Sequence, residues 1–345
     1  MPELFVTNFN RNITGVGSTI ANLVPVQAGQ YDLRLVGYPL EGCPDPITVS
    51  EARELSQKGA EGRPFAIWHV RRNTEMRSAI WARDVLRLPI RILFTSAAQH
   101  RHSALPRWLI SRMDAVIATT EKAAKLVPHV RQVVPHGVVT DRFTPAPDRA
   151  AAWHALGYGG TMGIATIGRV RPEKGTDAFV AAMIELLPRL PGAVALIVGK
   201  ATRQHAGFEA ALKTQVAQAG LSDRIIFTGL VDNDRLLQIM KAASLVMQLP
   251  KGEGFGIVPQ EGMASGTPFV ATDAGAYAEL AANSGAGQIV TPPQAAEAAH
   301  AILSDPERLD TMSRAARVAA ETRYSIQTEA AGIAAVYEKI WAEGS

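Results

Sequence analysis

The sequence holds a single cysteine, Cys43, among 345 residues, which excludes an internal disulfide. Cys43 sits in the turn-like stretch from Glu41 to Pro46 with no marked partner to draw out a thiolate, so it is a poor candidate nucleophile. No run approaches the roughly eighteen consecutive apolar residues of a membrane-spanning helix. The start, Met1 to Val6 followed by the polar Asn8 and Arg11, lacks the charged beginning and long apolar centre of a secretory signal, so the expected location is cytoplasmic. No short-period repeat is present either. What remains is an ordinary soluble composition, 47% hydrophobic and 19% charged, in a chain longer than one core usually supports. Two domains are expected.

The net charge of +3 hides an asymmetry: residues 1–150 carry 19 Lys and Arg against 13 Asp and Glu, the remainder 16 against 19. Between Arg63 and Arg112 there are ten arginines and only two acids, Glu75 and Asp84. That density makes a field attractive to phosphate, carboxylate or an anionic membrane surface, or else a solvated arginine face.

Short β-branched or aromatic runs alternate with stretches of helical period. In the first half, Glu3–Thr7, Asp32–Val36, Phe65–Val70, Arg91–Phe94, Ala115–Thr119 and Gln132–Val134 read as strands. In the second, Met162–Ile167, Ala193–Val198, Arg224–Thr228, Leu245–Gln248, Pro268–Thr272 and Gly287–Val290 do. The alternation predicts an α/β protein of two Rossmann-like halves, each a parallel sheet with helices on both faces and ligands at the carboxyl ends of the strands. The proline-bearing stretch Val139 to Ala151 is the expected linker, giving a first domain of residues 1–145 and a second of 146–324. Apolar residues at helical spacing in Gln327 to Ala342 predict a last helix that packs on the second half or returns to the first.

The segment from Gly252 to Pro268 places a glycine-rich loop before a short helix and a strand. Glycines let a backbone approach a ligand closely, and a helix start near Ile257, with Pro259 in its first turn, aims backbone N–H groups at an anion. Glu253 in the loop and Glu261 one turn into the helix can face one ligand from two heights, where carboxylates accept from sugar hydroxyls. Arg169 and Lys174 follow the first strand of the second half, and a guanidinium with an ammonium can neutralise charge growing on a departing diphosphate.

With Arg169 and Lys174, the glutamates Glu253 and Glu261 separated by seven residues, Gly254-Phe255-Gly256 between them, and Met263-Ala264-Ser265-Gly266-Thr267-Pro268, the chain resembles the large retaining glycosyltransferase family of GT-B fold usually numbered four. The resemblance implies two domains facing a central cleft that closes, with a C-terminal helix, 325–345, returning to the first. It implies that Arg169 and Lys174 hold the donor diphosphate, that Glu253 binds hydroxyls of the transferred sugar, and that Glu261 holds the ribose. Phe255 and Gly256 would offer backbone N–H groups beside Gly254 and Ile257. Thr14-Gly15-Val16-Gly17-Ser18 looks like the family's glycine loop, which closes over the donor with Gly15 and Gly17. Arg169, Lys174 and Glu253 would carry catalysis.

Two departures stand out. Where many relatives have a histidine after the fourth strand this chain reads Thr95-Ser96-Ala97-Ala98-Gln99-His100-Arg101-His102, and Val139 stands where Asp is common. Within the family, Trp68-His69-Val70-Arg71-Arg72-Asn73, the loop Phe94 to His102 and Met113 to Thr119 look most like bacterial lipopolysaccharide core mannosyltransferases. That implies mannose transfer from GDP-mannose to an anionic glycolipid such as the inner core, at the cytoplasmic face of the inner membrane, with His69, Arg71, Arg72, His100, Arg101 and His102 on the acceptor side. A UDP-sugar donor with another acceptor, or a non-catalytic nucleotide-sugar scaffold, remains open; nucleic acid is not an expected partner. No cofactor and no metal are expected, because Asp232-Asn233-Asp234, though spelled like a metal motif, precedes a helix that it can cap. A dehydrogenase is disfavoured, since Gly15-Val16-Gly17-Ser18-Thr19-Ile20 lacks the third glycine of a dinucleotide fingerprint.

Overall fold

A computed structural model describes residues 1–12, 15–58 and 62–344. Two compact units emerge: Met1–Gly137 together with the chain from Ser325 onward, and Val138–Tyr324. The first is built on strands β1 (Leu4–Asn8), β2 (Leu33–Gly37), β3 (Ala66–Val70), β4 (Ile90–Ser96), β5 (Ala115–Ala118) and β6 (Val130–Val133), all parallel in the order β2-β1-β3-β4-β5-β6. β1, β3 and β5 are buried at every position, as strands covered on both faces require, which is why they read as continuous apolar runs.

The last helix, Ile326–Ala342, belongs to this first unit. Ser325 caps it by accepting from Thr328 N at 3.1 Å. Its buried stripe of Ile326, Ala330, Ile333, Val336, Tyr337, Ile340 and Trp341 packs on helix Gly15–Ala28 and on β6. Gly332 lies so near Val134 that an added Cβ would sit 2.9 Å from its side chain. Polar clamps reinforce the seam: Trp341 Nε1 donates to Phe65 O at 3.0 Å, and Arg63 covers the Trp341 ring at 3.9 Å while bonding Glu338 at 2.7 Å. Each large apolar side chain buried here contributes about 1.5–3 kcal/mol.

The second unit holds β7 (Met162–Ile167), β8 (Ala193–Val198), β9 (Ile225–Gly229), β10 (Leu245–Gln248), β11 (Phe269–Ala271) and β12 (Gly287–Ile289), parallel in the order β12-β11-β10-β7-β8-β9. The division falls at Gly137/Val138 rather than at 145/146, for a local reason. Val138 N donates to Tyr324 O at 2.8 Å, and Arg317 Nη1 gathers the carbonyls of Thr140, Phe143 and Ala264 at 3.1, 2.8 and 2.6 Å. The proline-bearing stretch is thus packed into the second unit instead of spanning open solvent.

Candidate donor and acceptor sites

β7, β10 and β11 are neighbours, so the loops after them share the carboxyl edge of the second sheet. After β7, Gly168 presses its carbonyl against Gly199, where an added Cβ would lie 2.1 Å away. Arg169 is exposed beside it. A single tight turn, Pro172–Lys174, then ends at Gly175 in the left-handed region (φ +69°), with room for no side chain: a Cβ would lie 1.7 Å from Leu249 O. That close approach brings Lys174 against the loop following β10.

The loop is held from both sides. Lys251 N donates to Glu173 O at 3.0 Å, Thr272 Oγ1 to Pro250 O at 2.7 Å, and Ala276 N to Phe255 O at 2.9 Å. Glu253 is thereby placed to form an ion pair with Lys174, and its other oxygen accepts from Gly254 N at 3.1 Å. Gly256 adopts φ +82° against the hydroxyl end of Tyr277, which would meet an added Cβ at 2.5 Å. Helix Val258–Ala264 starts after Ile257 with Pro259 in its first turn.

Glu261 lies in that helix, half-buried. Burial pushes it up to about 7, against the lowering effect of Arg142. Tyr277 is buried, and its hydroxyl is raised first by burial and then by both Glu253 and Glu261, so one ring lies within the field of the two carboxylates. The structure therefore brings Lys174, Glu253 and Glu261 around Tyr277, with Arg169 at the adjoining strand end. Arg142, from the proline-bearing stretch, joins them through its influence on Glu261.

Other expectations need correcting. Gly15 and Gly17 do not form a loop: both lie in the first turn of helix Gly15–Ala28, and nothing crowds either closely enough to demand glycine; Thr14 lies outside the described residues. His69 is not an acceptor contact. It is fully buried, Nδ1 meeting Tyr337 Oη at 2.6 Å and Nε2 meeting Thr95 Oγ1 at 2.6 Å, and burial, with Arg71 and His136 adding to it, keeps it well below the ordinary histidine range. Arg72 is tied to Glu75 at 2.6 Å and Asn8 at 3.1 Å. His100 and Arg101 are exposed, whereas Arg71 and His102 line a cavity at the edge of the first sheet. His136, which no sequence motif marks, lines it too, its Nδ1 held by Glu329 at 2.8 Å. Cys43 is pushed up to about 11 by burial, which suppresses its thiolate. Asp232 caps helix Asn233–Ala242 by accepting from Arg235 N at 2.7 Å. Among the described residues, no three His, Cys, Asp or Glu side chains gather as a metal-binding group, and no helix is long and apolar enough to cross a membrane.

Comparison with known proteins identifies the family and the fold. Residues 159–319 match the family described as glycosyl transferases group 1. Over 98% of this chain and 97% of its relative, the sequence is 41% identical to the lipopolysaccharide core biosynthesis mannosyltransferase LpsB of Rhizobium meliloti (strain 1021). It is 37% identical to LpcC of Rhizobium leguminosarum bv. viciae, named likewise, over 98% and 96% of the two chains. The crystal structure of Anabaena Alr3699/HepE, solved with UDP and glucose, superposes with a TM-score of 0.80 over 98% of this chain and 100% of that one; at 17% identity this speaks for the fold. Identity of this extent along nearly the whole of both sequences places the chain in the group 1 glycosyl transferases, as a glycosyltransferase of GT-B fold.

Proposed function

We propose that the chain transfers mannose from GDP-mannose to an anionic glycolipid acceptor, the inner core of lipopolysaccharide, with retention and without a metal. The observation that carries this reading is the convergence of Lys174, Glu253 and Glu261 around Tyr277 at the strand ends of the second unit, in a chain whose full-length relatives are named as core mannosyltransferases.

Lys174 is paired with Glu253, so an arriving diphosphate competes for the same ammonium. Once Lys174 turns to the phosphates, Glu253 is released to accept from sugar hydroxyls, and Arg169 supplies the second cation. Glu261, ionised, accepts from the ribose. The bond from the sugar's anomeric carbon to the diphosphate breaks, the acceptor oxygen bonds that carbon on the same face, and the acceptor proton passes to the departing diphosphate. The side chains position and neutralise, which is where most of such a rate enhancement arises.

An anionic membrane surface as the site of work is supported by one face of the first unit. Trp81, Val85, Leu86, Leu105 and Trp108 are exposed there, and Arg112 bonds Asp84 at 2.7 Å, which sets the segments carrying them side by side. Exposed Arg77, Arg87, Arg101 and Arg107 lie in the same stretch of chain. Interfacial tryptophans with arginines suit anionic headgroups. Co-sedimentation with phosphatidylglycerol vesicles, weakened by salt and by Trp81→Ala with Trp108→Ala, tests this; equal binding to neutral vesicles would sink it.

The central experiment offers GDP-mannose, UDP-glucose and ADP-glucose, with chelator present, to purified chain and delipidated core oligosaccharide, and reads the product anomer by NMR. The α-mannoside from GDP-mannose is expected. Preference for UDP-glucose, an inverted product, or activity only after divalent metal is restored would each overturn the corresponding part.

A further inference from the structure

The cavity at the edge of the first sheet has a volume of about 190 Å3, well above the roughly 10–15 Å3 that a water requires. It opens at the carboxyl ends of β3 and β4 and is lined by Arg71, Asn73, Thr95, Ser96, His102 and His136, with Val16 and Thr19 from the first turns of helix Gly15–Ala28. Among the described residues, no carboxylate lines it. Two of its side-chain nitrogens are sealed from solvent without a hydrogen-bond partner among the described residues: Nη1 of Arg71, which can only donate, and Nε2 of His102.

Arg71 is half-buried as a residue, and desolvation is the largest influence on its guanidinium, which it lowers. The nearby acids are already engaged. Glu75 accepts from Thr7 Oγ1, Phe9 N, Arg71 N, Arg72 N and Arg72 Nη1 at 3.0, 3.1, 2.8, 3.1 and 2.6 Å. Glu329 holds His136 Nδ1 at 2.8 Å and Gly137 N at 2.7 Å. A guanidinium N–H withdrawn from water and left unbonded is unfavourable unless a ligand completes it. The start of a long helix in the same wall adds partial positive charge.

We propose that this cavity binds one compact oxyanion, a phosphoryl or carboxylate group, through Arg71 and His102 beside His136, and that the group belongs to the acceptor. The second half of that statement rests on the transferase reading above. Glu329 is then a positioning residue that the last helix lends to the acceptor site.

The test titrates chain carrying isotopically labelled histidine with inorganic phosphate, gluconate and, as neutral control, glucose, at constant ionic strength. Ring signals of His102 and His136 are expected to move at millimolar phosphate or gluconate and not with glucose; the anion that saturates first identifies phosphoryl or carboxylate as the group. Arg71→Gln should weaken the response at least tenfold, whereas Lys174→Ala, in the other unit, should leave this titration as it is. If Arg71→Gln fails to fold, His102→Ala, read through His136, should be weakened several-fold. Neither anion moving the signals, or responses unaltered in the folded variants, overturns the site. Transfer to an anionic acceptor with the same KM in Arg71→Gln and parent overturns it while leaving the transferase reading intact. Anion binding here in a chain that transfers nothing overturns the transferase reading alone.

Discussion

The two sheets end in edges built on different principles. In the second unit Lys174 and Glu253, the proposed donor contacts, stand on short loops whose shape is set by glycines pressed on their neighbours: Gly175 against Leu249, Gly275 against Phe255, Gly256 against Tyr277. Opposite charges there meet near the surface, Lys174 and Glu253 being 24% and 20% exposed. In the first unit the polar groups are interior and are organised by a segment from the far end of the sequence, Tyr337 on His69 and Glu329 on His136. One edge is specified within a single unbroken stretch of chain, the other by closure of a segment from beyond the second unit.

The largest test of that contrast removes everything from Ser325 onward. The first unit should lose its cooperative thermal transition, because Ile333, Val336, Tyr337, Ile340 and Trp341 leave its core, while the transition of Val138–Tyr324 persists. Calorimetry showing both transitions unchanged would break the comparison. Next come Arg169→Ala and Lys174→Ala. Each should lower kcat/KM on the order of a hundredfold or more, with little change in melting temperature because Arg169 is exposed and the Lys174–Glu253 pair is partly solvated. Nearly unchanged kcat/KM in both would remove them from the donor site.

A smaller effect concerns proton binding. Because burial raises Glu261 to about 7, the folded chain holds that proton more tightly than the unfolded chain does. Its contribution to stability is complete below the ordinary carboxylate range and is lost as pH rises through about 7. Denaturant unfolding between pH 5 and 8 should therefore show a falling stability that Glu261→Gln flattens, and donor KM in the parent should fall over the same interval as the carboxylate ionises. Parallel curves for parent and variant would refute the assignment. Smallest is Asp232→Ala, which removes a cap and should cost about 1 kcal/mol, measured at equal activity; loss of activity with stability intact would point to a ligand role instead.

All twelve strands were legible in the sequence, and Met162–Ile167, Ala193–Val198 and Leu245–Gln248 have the bounds expected of them, because a strand covered on both faces announces itself as an apolar run. The edge strand β6 begins two residues earlier than expected, just after His129 at φ +60°, where half-exposed residues give little periodicity. Lys174, Glu253 and Glu261 were legible as a set because loops at adjacent strand ends must meet. His69 was misread, since nothing near it in sequence tells that Tyr337, 268 residues away, satisfies its ring. His136 was missed for the same reason, its partner Glu329 lying 193 residues on. Arg142 is not legible in the sequence because a stretch rich in proline and charge looks like a linker, and only the fold brings Arg317 onto its carbonyls.

That the first unit is interrupted by the whole of the second has a consequence for biosynthesis. Domains generally fold as they leave the ribosome, from the N-terminus onward, but the half translated first here stays without its closing helix until translation has passed Trp341. The later-made half is complete before it, and in the interval the apolar groove awaiting Ile333, Tyr337 and Trp341 is the surface that a chaperone would have to shield.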